Sequence, residues 1–289
     1  VCSLDSLTLS VMNRQLILHC GPMKTGSTAI QDALHACRNA LLSRGISAHH
    51  ILARTLLQQM DQVLTQERET DHPVVLLSSE FFGQVSPRSI RQILDRFPAD
   101  RHAIFVSRPL REIYPSLYLQ NLKGSSRRIT SFRSFLNNQL SLDRDPGGGL
   151  GGQVMNAPVL DARLRSAGCQ THWIHYDRQA LLRRFAHMLH TITDIDVTAL
   201  NQARVSPATG LSPRRSLRME LAGMARLINQ LNRHGLLADR LREKLLVFCL
   251  DVSDQLRRIH PQQSSLSVVD RLRCDQLDRD INQAFLSST

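Results

Sequence analysis

The sequence predicts an α/β fold, three layers deep, with a central, mainly parallel sheet and a helical C-terminal part. Three observations carry this. Residues 14–20 (RQLILHC) and 73–82 (PVVLLSSEFF) are short apolar runs, as strands buried on both faces require, and 102–109 (HAIFVSRP) and 171–177 (THWIHYD) read as a third and a fourth strand. Stretches with apolar residues at helical spacing separate them, and strands that alternate with helices pair in parallel. Polar residues suited to a ligand follow three of the runs, where parallel sheets bind their ligands.

Taken in order, residues 1–11 (VCSLDSLTLSV) have neither a basic start nor a clear cleavage site. They precede Met12 and are expected to be a leader outside the fold. Residues 12–289 are expected to form one α/β domain, with its helical region at 212–289. After the first strand, Ile30, Ala33, Leu34, Cys37 and Leu41 fall at helical spacing, and Gly45 stops the helix. The following LLSRGIS reads as a helix end and loop, leading to His49 and His50. RSIRQILDRF is an amphipathic helix ended by Pro98. EIYPSLYLQNLK reads as a helix that either starts at Pro115 or is kinked there. The glycines of 147–152 make a loop, either a surface linker or a lid over a substrate. Leu217, Leu221, Met224, Leu227, Ile228 and Leu231 share one helical face and are expected to pack into the core.

Hydrophobic residues make up 42% of 289, enough for a sizeable core. The net charge of +11 is spread along the chain, so it describes a generally positive surface rather than a basic tail. Without an aromatic RNA-binding motif, no nucleic-acid partner is expected. The six cysteines form no C-x-x-C pair, so reduced thiols and a cytoplasmic location are expected. No apolar stretch has the length of a membrane span. Nearly all the positive charge is arginine; the lysines are Lys24, Lys123 and Lys244. Lys24 stands inside a glycine loop, where a compact ammonium suits a point contact to one oxygen.

That loop is GPMKTGST, between a strand and a helix. A nucleotide-binding loop of the G-x-x-x-x-G-K-[ST] type puts its lysine after the second glycine, whereas Lys24 precedes Gly26. Backbone amides at a helix start attract anions. Thr25, Ser27 and Thr28 add hydroxyls, and Gly26 lets the backbone come close. In SRPLREIYPS, Arg108 ends a strand and Ser116 follows eight residues on; together they could clamp a second phosphate. Glu80, in LLSSE, ends another strand, as a cap for the next segment or as a base.

These three segments resemble the PAPS-dependent sulfotransferases, whose donor is 3′-phosphoadenosine-5′-phosphosulfate. GPMKTGST is similar to that family's 5′-phosphosulfate loop, RPLREIYPS to its 3′-phosphate motif, and Glu80 occupies the place of its catalytic base. YLQNLKGSSRRITSFRSFL, THWIHYDRQALL and LNQARVSP resemble the bacterial branch, more loosely, so that the likeness runs from Arg14 to Leu221. The resemblance implies a P-loop-NTPase-like sheet and transfer of a sulfonate to a hydroxyl of a carbohydrate or glycoconjugate, anionic acceptors included. In it Glu80 is the base and Lys24 stabilises the leaving phosphate. Lys24, Thr25, Gly26, Ser27 and Thr28 hold the 5′ side, Arg108 and Ser116 the 3′-phosphate, PAP is the product, and no metal is needed. Arg204, Arg214 and Arg215 are candidates for a further 3′-phosphate contact. His49 and His50 are rival bases. A P-loop nucleoside or small-molecule kinase and a non-catalytic polyanion-binding module are the alternative readings.

Overall fold

The computed structural model describes residues 14–51, 55–82, 85–97, 99–123, 130–144, 157–203, 221–259 and 268–288. Five strands run through the described residues: β1 (Gln15–His19), β2 (Ile46–His50), β3 (Val74–Ser78), β4 (Asp100–Ser107) and β5 (Gln170–His175). They form one sheet in the order β2-β3-β1-β4-β5, and every neighbouring pair is parallel. β1 is central. Gln15 is in register with both Val74 and Asp100, so β1, β3 and β4 present their carboxyl ends on the same edge.

Alternation along the strands sends side chains to two apolar layers. Leu16, Leu18 and Cys20 face one layer with helices α3 (Leu56–Glu67), α4 (Pro87–Leu94) and α7 (Ala157–Ser166). Ile17 faces the other, with α1 (Ser27–Ala36), α2 (Arg38–Leu42) and α8 (Leu181–Thr193). The protein is therefore α/β with helices on both faces of a parallel sheet. Each fully buried leucine of β1 and β3 contributes roughly 1.5–3 kcal/mol. A third cluster joins α5 (Leu110–Lys123) and α6 (Phe132–Arg144) to α9 (Ala222–Arg233), α10 (Asp239–Ile259) and α11 (Val268–Ser288). Met23, from the glycine loop, packs against it. No described helix is long and apolar enough to cross a membrane. Cys20, Cys169, Cys249 and Cys274 are buried free thiols, and Cys37 is a half-buried one.

The structure corrects several expectations. Residues 46–50 form an edge strand, not a loop. The helix expected to run up to Gly45 is broken at Cys37 into α1 and α2. Of the two alternatives for α5, a start at Pro115 is ruled out; the helix runs from Leu110 through Pro115, which cannot donate to the Arg111 carbonyl. On α9 the buried residues are Ala222, Ala225, Ile228, Asn229 and Asn232, while Met224 and Leu227 are exposed. Two asparagines can face inward because they are paired: Asn229 donates to the Leu122 carbonyl at 2.7 Å and accepts from Arg242 Nε at 2.9 Å, and Asn232 donates to the Leu237 carbonyl. The leader, Pro98, the glycines of 147–152, Leu217, Arg204, Arg214 and Arg215 lie outside the described residues.

Candidate active site

β1 ends at His19, and the Cys20 N–H still bonds across to the Ile104 carbonyl at 2.8 Å. The chain then turns through the glycine loop into α1. Lys24 takes a left-handed φ of 70° and Gly26 one of 87°. Gly26 is the N-cap of α1, so the helix begins at Ser27 with its first amides facing the loop. A side chain at either loop glycine would force a neighbour to move. A Cβ on Gly21 would stand 2.3 Å from Ser27 Oγ, and one on Gly26 would stand 2.3 Å from Leu181 Cδ2.

The two hydroxyls beside Gly26 serve the loop itself. Thr25 is fully buried and donates to the Pro22 carbonyl at 2.7 Å; Ser27 Oγ reaches the same oxygen at 3.5 Å. Thr28 does something the sequence did not suggest: its side chain hydrogen-bonds Glu80.

Glu80 stands two residues beyond β3, which ends at Ser78, so it follows the strand rather than closing it. The Ser79 N–H, bonded to the His19 carbonyl at 3.1 Å, ties this segment to β1. Glu80 does not cap α4, since Ser86 does so by accepting from the Ser89 N–H. Burial raises the Glu80 carboxyl above its ordinary range, against the opposing pull of Lys24 and the Thr28 hydrogen bond. Burial likewise brings Lys24 down to about 8, with Glu80 working to raise it and Arg108 to lower it further. Lys24 thus senses both Glu80 and Arg108, each from a different strand end.

Arg108 follows β4 directly. Its Nη1 donates to the Lys24 carbonyl at 2.7 Å, its Nε to Glu112 Oε2 at 3.0 Å, and its guanidinium lies 4.5 Å from the centre of the Tyr176 ring. It is both a cation at the site and a brace for the strained lysine. Ser116 sits half-buried in α5, directly after Pro115. His49 is drawn elsewhere: its Nε2 meets Glu67 Oε1 at 2.9 Å. His50 stands at the end of edge strand β2, with its pKa lowered by partial burial and then raised in part by Asp32.

Sequence reasoning missed Tyr176, which follows β5 and bonds through its N–H to the Ser107 carbonyl at 2.8 Å. It lies beneath Arg108 and against Gly26, where an added Cβ would be 3.2 Å from its ring. An aromatic residue immediately after an expected strand was the available signal. No protein-family model matches this chain, and no curated protein matches it.

Proposed function

We propose that the protein transfers the sulfonate of PAPS to a hydroxyl of an acceptor, a carbohydrate or glycoconjugate by the resemblance of its motifs. The observation that carries this is the meeting of Lys24 and Glu80 beside the start of α1, with Arg108 bonded to the lysine's own carbonyl. The strand order, with a glycine loop between β1 and α1, supports a P-loop-NTPase-like reading of the sheet. In this reading PAPS is a substrate held by the α1 amides, Lys24 and Arg108, with Ser116 toward the 3′-phosphate. The acceptor oxygen attacks sulfur as the bond from sulfur to the 5′-phosphate oxygen breaks. Glu80 takes the acceptor's proton, and Lys24 meets the charge that grows on the departing phosphate. A base whose pKa is raised by burial, beside a cation held close by the same fold, suits both tasks.

Thermal denaturation with ligands tests this. PAP is expected to raise the melting temperature well above the shift given by ATP with magnesium, because a ligand bound by the native state alone stabilises it. The shift is expected to shrink above about pH 8, as Lys24 loses its proton. Equal shifts with the two nucleotides would sink the proposal, and a larger one with ATP would favour a kinase.

Arg108→Ala gives a second test. It removes a charge-assisted contact, typically about 1.5–3 kcal/mol, and also frees the Lys24 carbonyl. PAP is expected to weaken most, while adenosine 5′-phosphosulfate, which lacks the 3′-phosphate, weakens less through the disturbed loop. Calorimetry showing equal losses would limit Arg108 to bracing.

A further inference from the structure

The acceptor must reach Glu80 from a side the donor loop does not close. Thr28, Gln31 and His35 fall three and four residues apart along α1 and so share one face of the helix. Thr28 bonds Glu80; Gln31 and His35 line a cleft of about 410 Å³ that opens over the carboxyl end of β2. Ser78, two residues before Glu80, also borders it, so the inner end of the cleft lies close in sequence to Glu80 although Glu80 itself does not line it. Its volume falls within the roughly 300–1,000 Å³ of small-molecule sites.

The lining chemistry is specific. α3 contributes Gln59, Gln62 and Gln66, facing Gln31 from across the cleft. A carboxamide donates and accepts at once, as the hydroxyls of a sugar ring also do. The Gln31 amide nitrogen is buried and finds no hydrogen-bond partner among the described residues. Arg38 supplies a positive charge, and among the described residues no aspartate or glutamate lines the cleft to offset it.

We infer that this cleft is the acceptor site and that it takes an acidic oligosaccharide. Arg38 meets the acidic group, and the glutamines of α1 and α3 hold ring hydroxyls so that one of them is presented to Glu80. The word acceptor rests on the donor reading above; the saccharide site does not.

The test is calorimetric titration of the full chain with three tetrasaccharides: tetragalacturonate, carrying carboxylates; a carrageenan tetrasaccharide, carrying sulfates; and neutral cellotetraose. PAP is titrated alongside. At least one acidic tetrasaccharide is expected to bind, cellotetraose about tenfold or more weaker, and the better acid names the group that Arg38 meets. Arg38→Ala is expected to weaken that ligand about tenfold or more, and Arg38→Lys to restore part of the loss. Arg183→Ala, in the separate basic cleft beside α8, is expected to leave it unchanged, and all three variants to bind PAP normally. The inference is overturned if neither acid binds, if cellotetraose binds as well, or if Arg183→Ala weakens binding as much as Arg38→Ala, which would mean diffuse charge. Normal PAP binding with no Arg38 dependence removes the cleft and spares the donor reading. Failure of PAP to bind, with Arg38 dependence intact, removes the donor reading and leaves a saccharide site.

Discussion

Glu80→Gln is expected to lower the rate of sulfonate transfer by about 10²–10⁴-fold, the usual cost of losing a general base. The amide keeps the size of the side chain and can still bond Thr28, but it cannot take a proton. PAP affinity is expected to hold within a factor of a few, because the α1 amides and the two cations remain. The melting temperature is expected to hold as well, since α4 is capped by Ser86 and the Glu80 carboxyl spends energy on its burial. Single-turnover assays, PAP titration and thermal melts on one preparation separate these quantities. Full activity would remove Glu80 from the chemistry and direct attention to His50.

The second large effect falls far from catalysis. Glu67 is 5% exposed at the end of α3 and gathers four side chains: Ser47 Oγ at 2.7 Å, Thr70 Oγ1 at 2.8 Å, and the rings of His49 and His72 at 2.9 Å each. Its backbone carbonyl accepts from Arg14 Nη2 at 2.6 Å, so one residue ties α3 to the approaches of β1, β2 and β3. Burial alone would raise this carboxyl; the hydrogen bonds from Ser47, His72, Thr70 and His49 outweigh it and hold the pKa at about 2. Glu67→Ala is expected to cost about 3–5 kcal/mol, as for other buried charged groups whose partners are left behind. Denaturant unfolding measures it, and a loss within about 0.5 kcal/mol, usual for a surface change, would show the cluster to be incidental. The pH dependence has a definite direction. A carboxyl whose pKa is depressed on folding adds stability above its unfolded value near 4.5 and loses it as pH falls toward about 2. In Glu67→Gln that stretch of acid sensitivity is expected to flatten.

The buried strands were legible because a strand covered on both faces has to be apolar nearly throughout: VVLLS and the middle of QLILH leave no other reading. β2 was not, because an edge strand pairs on one side only and its sequence, ISAHH, can stay polar. The glycine loop was legible through spacing alone, since a side chain at Gly21 or Gly26 would force a neighbour to move. The inward turn of Thr25 and Ser27 was not, because sequence names a hydroxyl without saying which oxygen it finds. Glu67 lies in TQERET, which reads as surface charge; its partners are spread from Ser47 to His72, and only the register of β2 on β3 brings them together. The same applies to α9, whose inward face keeps the expected Ile228 but is otherwise alanine and paired asparagine rather than the large apolar residues that a helical pattern favours.

The central place of β1 also governs when the molecule can assemble. Its neighbours in the sheet are separated from it by long stretches of chain, and the bond from Arg108 to the Lys24 carbonyl spans 84 residues. Parallel pairing of this kind has high contact order: the loop entropy is spent before any contact repays it, which slows folding. The glycine loop therefore cannot take its strained form from local sequence alone. It must wait for β3 and β4 to dock on either side, so on the proposed reading the donor site arises late in folding, and refolding followed by PAP binding is expected to lag behind the recovery of helix.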